Sequence, residues 1–272
     1  MKHLNSLSSE DYRYDSIIVS GDVTDSLELL REGFELLLNR FQSVCFVPGN
    51  HELWIRNNSF ENSIGKFEAV LSLCQELGIH TQPVKVSGNK NNIWLVPLLS
   101  WYRLPEQGAD TLFIEKITEN FDRLIWGDFK YCVWPELMRD LNPADYFFQL
   151  NREITNKSYD AAIISYSHFL PRRDLMFSDE RLAERYADGN TPIEPHPLDP
   201  HPFFNFSRVA GDQCIENQIR KLGSVIHVYG HQHRNRDRTV DAVRYISHCL
   251  GSPQERRLLS STELFPKCIW EG

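Results

Sequence analysis

The chain lacks paired cysteines. Six are scattered over 272 residues (Cys45, Cys74, Cys132, Cys214, Cys249, Cys268), with no Cys-x-x-Cys among them. That excludes a zinc knuckle and argues against a disulfide framework; reduced thiols and a cytoplasmic location are expected. Long apolar runs are missing too: no stretch of 18 apolar residues occurs, so no membrane-spanning helix is expected. The first residues, Met1-Lys2-His3-Leu4-Asn5-Ser6, have no apolar segment of the signal-peptide kind. Basic charge is in deficit, with 29 Lys and Arg against 37 Asp and Glu, a net charge of −8 and a pI near 5.7. This argues against a nucleic-acid backbone as the partner, although Arg234, Arg236, Arg238 and Arg244 form a local basic run beside which an anion could sit. No internal repeat or linker stands out, and nothing resembles a Ser or Cys nucleophile elbow.

What is present reads as one globular domain covering residues 1–272, whose 41% apolar content suffices for a full core. Short β-branched runs end repeatedly in polar turns. Ser16 to Ser20 predicts a buried strand closed by Gly21-Asp22-Val23-Thr24-Asp25. A helix from Leu27 follows, with Ser26 as its N-cap. Val44 to Val47 predicts a second strand, stopped by Pro48-Gly49-Asn50-His51-Glu52, and a helix over 63–77 ends at Gly78. Further strands are expected at 93–96, 161–165, 225–229 and 243–246. This alternation predicts an α/β fold, with parallel sheet at least in the first half. In such sheets the ligand crevice lies beyond the carboxyl ends of the strands, where the polar turns fall. Two stretches break the alternation, an aromatic-rich one at about 101–158 and a proline-rich one at about 170–210; both are expected as insertions over the site.

The turns supply Asp22, Asp25, Asn50, His51, His168, His231 and His233, hard oxygen and borderline nitrogen donors without a thiolate. Such a set suits Mn²⁺, Fe or Zn²⁺ at a catalytic centre. A carboxylate such as Asp22 can bridge two cations roughly 3.5–4 Å apart, as in two-metal hydrolases.

Gly21-Asp22-x-x-Asp25, Gly49-Asn50-His51-Glu52, the strand-end His168 and Gly230-His231-x-His233 occur in the order found in the calcineurin-like metallophosphoesterases. The resemblance spans about residues 16–250. It implies a four-layer α/β/β/α sandwich and a phosphoester hydrolase in which a metal-activated hydroxide attacks phosphorus. The implied metal ligands are Asp22, Asn50, His168, His231 and His233, with Asp22 bridging two divalent cations. His51 is implied as the proton donor or transition-state stabiliser beside the phosphate. Asp25 and Glu52 would orient ligands or His51, although Asp25 reads equally as a helix N-terminal carboxylate. The implied substrate is a phosphorylated small molecule or a phosphoprotein.

The family's first strand ends in Asp-x-His, which supplies two ligands of the first metal. No Asp-x-His precedes Asp22 here, so the first strand is read as missing. The first site then keeps only Asp22 and His233, and one cation instead of two is a second expectation. With it comes a second reading of function, a catalytically impaired or single-metal relative that acts as a binding or regulatory protein. Elsewhere the ordinary readings prevail. His248 is expected to be structural, His196 and His201 solvated, and Asp212 with the arginine run a charged face. The aromatic stretch is expected as a small core or lid.

Overall fold

The computed structural model describes residues 2–56, 60–88, 90–120, 126–197, 199, 201–257 and 265–272. A one-turn helix α1 (Lys2–Asn5) leads into strand β1 (Ser16–Val19), helix α2 (Leu27–Leu38) and strand β2 (Ser43–Phe46). Ser26 caps α2, its side chain accepting from the Leu29 amide at 3.3 Å. Helix α3 (Ser63–Leu77) stops at Gly78, whose left-handed φ of 73° reverses the chain. Strands β3 (Val84–Ser87) and β4 (Asn92–Pro97) form a hairpin. Short helices α4 (Gly127–Tyr131), α5 (Pro143–Leu150) and α6 (Arg152–Asn156) precede β5 (Ala162–Tyr166). Helices α7 (Glu180–Tyr186) and α8 (Gln213–Leu222) are followed by β6 (Ile226–Val228), β7 (Arg236–Val240) and β8 (Val243–Ser247).

β1 and β2 pair in parallel as one sheet, and the second sheet runs β3-β4-β5-β6-β8-β7. Its middle is parallel, β4 to β5 to β6 to β8, while β3 and β7 add antiparallel edges. Side-chain alternation along β2 explains how the layers stack. Val44 and Phe46 face α2 and α3, packing with Phe34, Leu37, Val70 and Leu73. Cys45 and Val47 face the other way, onto Leu95, Ile164, Tyr166 and Ile246 of the second sheet. That sheet's far face buries Val96, Ile163 and Tyr245 against Ile215, Ile219 and Leu222 of α8. The order is helix, sheet, sheet, helix, the α/β/β/α sandwich expected.

Two strands were not legible in advance. β3 and β7 lie at the sheet's edges, and their partly exposed faces (Lys85, Arg236, Asp237, Arg238) carry no continuous apolar run. The stretches at 101–158 and 170–210 also pack more deeply than a cover would. Trp101, Tyr102, Phe147, Leu170, Leu175 and Val209 are buried in the same core as β4, β5 and α8. Asp212, expected on a charged face, is buried instead, paired with Arg103 at 2.7 Å and capping α8 through the Cys214 amide at 2.6 Å. Arg236 and Arg238 turn onto backbone carbonyls of residues 174–177. His248 donates from Nε2 to the Phe265 carbonyl at 2.8 Å, a structural contact.

Candidate metal centre

The centre is assembled from four chain reversals at strand ends. After β1 the backbone turns through φ of 76° at Gly21 and 58° at Asp22, which aims the Asp22 carboxylate inward. The loop after β2 passes so close that a Cβ on Gly49 would collide with that carboxylate and with the His168 ring. Glu52 clamps the two loops together. Its Oε2 accepts from the Asp22 and Gly49 amides at 2.9 and 2.7 Å; its Oε1 accepts from Val23 and Thr24 at 2.7 and 3.1 Å. Glu52 is buried. Burial and the Asp22 charge push its carboxyl up, while the backbone N–H donors oppose that shift.

His168 follows β5 and His231 follows β6. His168 donates from Nδ1 to the Ser20 carbonyl at 2.7 Å, and His231 donates from Nε2 to the Val209 carbonyl at 3.0 Å. Each outward bond fixes a tautomer and leaves the other ring nitrogen with its lone pair facing inward. His168 Nε2 then stands 3.1 Å from His231 Nδ1, 3.1 Å from Asn50 Oδ1 and 3.3 Å from Asp22 Oδ2. Four acceptors turned on one another repel unless positive charge lies between them. The donor set of two imidazoles, a carboxylate and an amide oxygen therefore fits a divalent cation. Burial would raise the Asp22 carboxyl, but the His168 ring outweighs it and holds the group well below the usual range. Burial would lower His168, but Asp22 outweighs it in turn and raises the imidazole, while burial and its neighbour His168 push His231 far down.

The other expected residues lie around this cluster. The His51 amide donates to Asp22 Oδ1 at 3.0 Å, and its ring Nε2 is 3.9 Å from Asp22 Oδ2. The ring stacks on Trp54 with centroids 3.7 Å apart, half-buried, and burial pushes it down. His233 does not join the four. Its Nδ1 faces the Glu255 carboxylate at 3.1 Å. Asp25 pairs with Arg56, and its carbonyl accepts from Lys66 Nζ at 2.6 Å. Arg56 in turn lies over the rings of Trp54 and Tyr131, 4.9 and 4.6 Å from their centroids.

Sequence reasoning missed Asp128 and Glu255. Asp128 is buried in the first turn of α4 and accepts from Asn50 Nδ2 at 2.8 Å. Its only signal is a carboxylate set between aromatics, Trp126-Gly127-Asp128-Phe129, and a lone acid of that kind reads as surface. Beside Asp128 opens a cavity of about 560 Å³, whose walls include Trp101, Tyr102, Gln107, Trp134 and Asn142.

The chain is similar to known proteins. The [acyl-carrier-protein] phosphodiesterase PptH of Mycobacterium tuberculosis is 25% identical over 252 residues, covering 89% of this chain and 71% of that protein. The crystal structure of phosphopantetheinyl hydrolase (PptH) from Mycobacterium tuberculosis superposes with a TM-score of 0.64 at 20% identity, covering 96% of this chain and 87% of that one. A putative 5′-nucleotidase from Staphylococcus aureus matches at a TM-score of 0.34 and 10% identity, covering 80% of this chain and 34% of that one. The model of the calcineurin-like phosphoesterases matches residues 1–235. The chain belongs to the calcineurin-like phosphoesterase family, whose chemistry is phosphoester hydrolysis.

Proposed function

We propose that the chain is a metal-dependent phosphodiesterase that releases 4′-phosphopantetheine from a carrier protein. One observation carries the metal dependence: Asp22, Asn50, His168 and His231 converge four unshared acceptor atoms on one point, with both imidazole tautomers locked from behind. These four would hold a divalent cation, Mn²⁺, Fe or Zn²⁺. Such a cation supplies a water acidic enough to attack phosphorus near neutral pH and neutralises charge on the phosphoryl oxygens.

The chain's own residues do the rest. The Glu52 clamp keeps Asp22 and Asn50 at fixed separation, so little reorganisation accompanies substrate binding. His51, gripped between the Asp22 carboxylate and the Trp54 face, presents its half-exposed imidazole where a leaving oxygen would need a proton. The cavity beside Asp128, lined by the rings of Trp101, Tyr102 and Trp134 and by the amides of Gln107 and Asn142, suits an arm that is itself part apolar and part amide. The phosphopantetheinyl group on which PptH acts is what suggests that arm.

The test begins with bis(p-nitrophenyl) phosphate and each metal in turn. Asp22→Asn is expected to remove at least about 100-fold of kcat, because the one anionic donor among the four becomes neutral. Full activity in Asp22→Asn would defeat the mechanism. Elemental analysis of the same samples separates one equivalent of cation from two. One equivalent without turnover would favour a binding protein. Conversion of a holo carrier protein to its apo form, followed by mass, tests the substrate.

A further inference from the structure

We propose that Asp128 is a positioning residue of the metal centre, the group that decides which end of the Asn50 amide faces the cation. The inference rests on the reading of Asp22, Asn50, His168 and His231 as a cation site. An asparagine amide has an acceptor end and a donor end of nearly the same shape, and only the oxygen can ligate. Nothing within the Gly49-Asn50-His51-Glu52 turn selects between them. Asp128 does, because a carboxylate only accepts. It takes Asn50 Nδ2 at 2.8 Å and leaves Oδ1 turned toward His168 Nε2 at 3.1 Å. The flipped amide would set two acceptors against each other at Asp128 and an N–H₂ group among the metal donors.

Asp128 is itself unable to swivel. Its Oδ1 also accepts from Trp54 Nε1 at 2.6 Å, and its Oδ2 accepts from Trp126 Nε1 at 2.8 Å. The residue is 2% exposed, so each of these bonds is made without competing water. Trp54 is the ring on which His51 stacks, so one carboxylate holds both a cation donor and the platform under His51. Asp128 lies 78 residues from Asn50, in the 101–158 stretch. That stretch is thereby part of the metal centre's frame.

The experiment measures Mn²⁺ binding to chelator-stripped protein by calorimetry for the wild type, Asp128→Leu, Trp126→Phe, Asn50→Asp and the double variant Asn50→Asp/Asp128→Leu. Leucine fills the space and offers no acceptor to Asn50 Nδ2. Asp128→Leu is expected to weaken Mn²⁺ by about tenfold or more, the usual scale for removing a partner that orients a ligand. Trp126→Phe removes a donor from the other carboxylate oxygen and keeps the Asn50 bond, so Mn²⁺ affinity should stay within about threefold of wild type. Aspartate at position 50 has oxygen at both ends and needs no partner to choose between them, so in the Asn50→Asp background the same substitution should not weaken Mn²⁺. If Asp128→Leu alone does not fold, it is made in a Trp54→Phe/Trp126→Phe background, which removes the other two donors to this carboxylate. Asp128→Leu binding as tightly as its parent would overturn the proposal. So would an equal loss in the Asn50→Asp background, or a Trp126→Phe loss as large as that of Asp128→Leu. A wild type that takes up no Mn²⁺ would overturn the cation reading along with it.

Discussion

Glu52 shows how much of the centre depends on one buried side chain. Four backbone N–H groups from two loops point at its two oxygens. Glutamine at this position would turn an N–H₂ group onto two of those donors, leaving three polar groups unsatisfied in a buried site. Glu52→Gln is expected to cost about 2–4 kcal/mol of stability, with weaker cation binding as the loops separate. Urea denaturation reads the first effect, and a loss below about 0.5 kcal/mol would contradict the clamp. Glu52 was legible as an orienting residue only through the resemblance of Gly49-Asn50-His51-Glu52 to the family pattern. The direction in which it acts, onto the amides of the Asp22 loop, was not, because those amides lie about thirty positions upstream in the chain.

At the scale of elements, the stretch from β4 to β5 does two jobs. Trp101 packs against Phe147 and Phe169, with ring centroids 6.0 and 5.2 Å apart, and builds core. Trp134 meets Trp101 edge-on at 5.0 Å and lines the cavity beside Asp128. If that cavity receives the pantetheine arm, Trp134→Ala should raise KM for the carrier-protein substrate by roughly tenfold, the order of one lost aromatic contact. The same variant should leave kcat on bis(p-nitrophenyl) phosphate unchanged. Equal losses on both substrates would argue instead that the ring only supports the core. Strands β1, β2, β4, β5, β6 and β8 were legible from apolar runs because they lie between packed layers. The edge strands β3 and β7 were not, since a strand with one neighbour need not be apolar.

On the scale of the whole molecule, a buried imidazole sets an acid limit on stability. His227 of β6 is fully buried between the Ser165 and Ser167 hydroxyls, at 2.9 and 3.0 Å from its two ring nitrogens. Burial lowers its pKa from 6.5 to about 3. The folded state therefore holds the neutral ring, whereas the unfolded chain takes up a proton below about pH 6.5. The stabilisation is fully present above that pH and is lost progressively as the pH falls toward 3. His227→Gln, which has no proton to gain, should show a shallower decline in unfolding free energy between about pH 6.5 and 4. Parallel declines in the two proteins would place the acid sensitivity elsewhere.

The local sequence by itself determined the strand ends, the capped helices and the residue types that gather at the centre. These follow from short-range periodicity and turn chemistry, which a chain carries wherever it is folded. Tertiary structure decided which of the donors meet. Asn50, His168 and His231 close on Asp22, while His233 turns to Glu255 and Asp25 to Arg56. It also decided that Asp128, with the Ser20 and Val209 carbonyls, would hold the donors from behind. Hydrogen bonds between residues tens to more than a hundred positions apart have no periodicity to announce them. They exist only once the two sheets have packed and brought their loops to one edge.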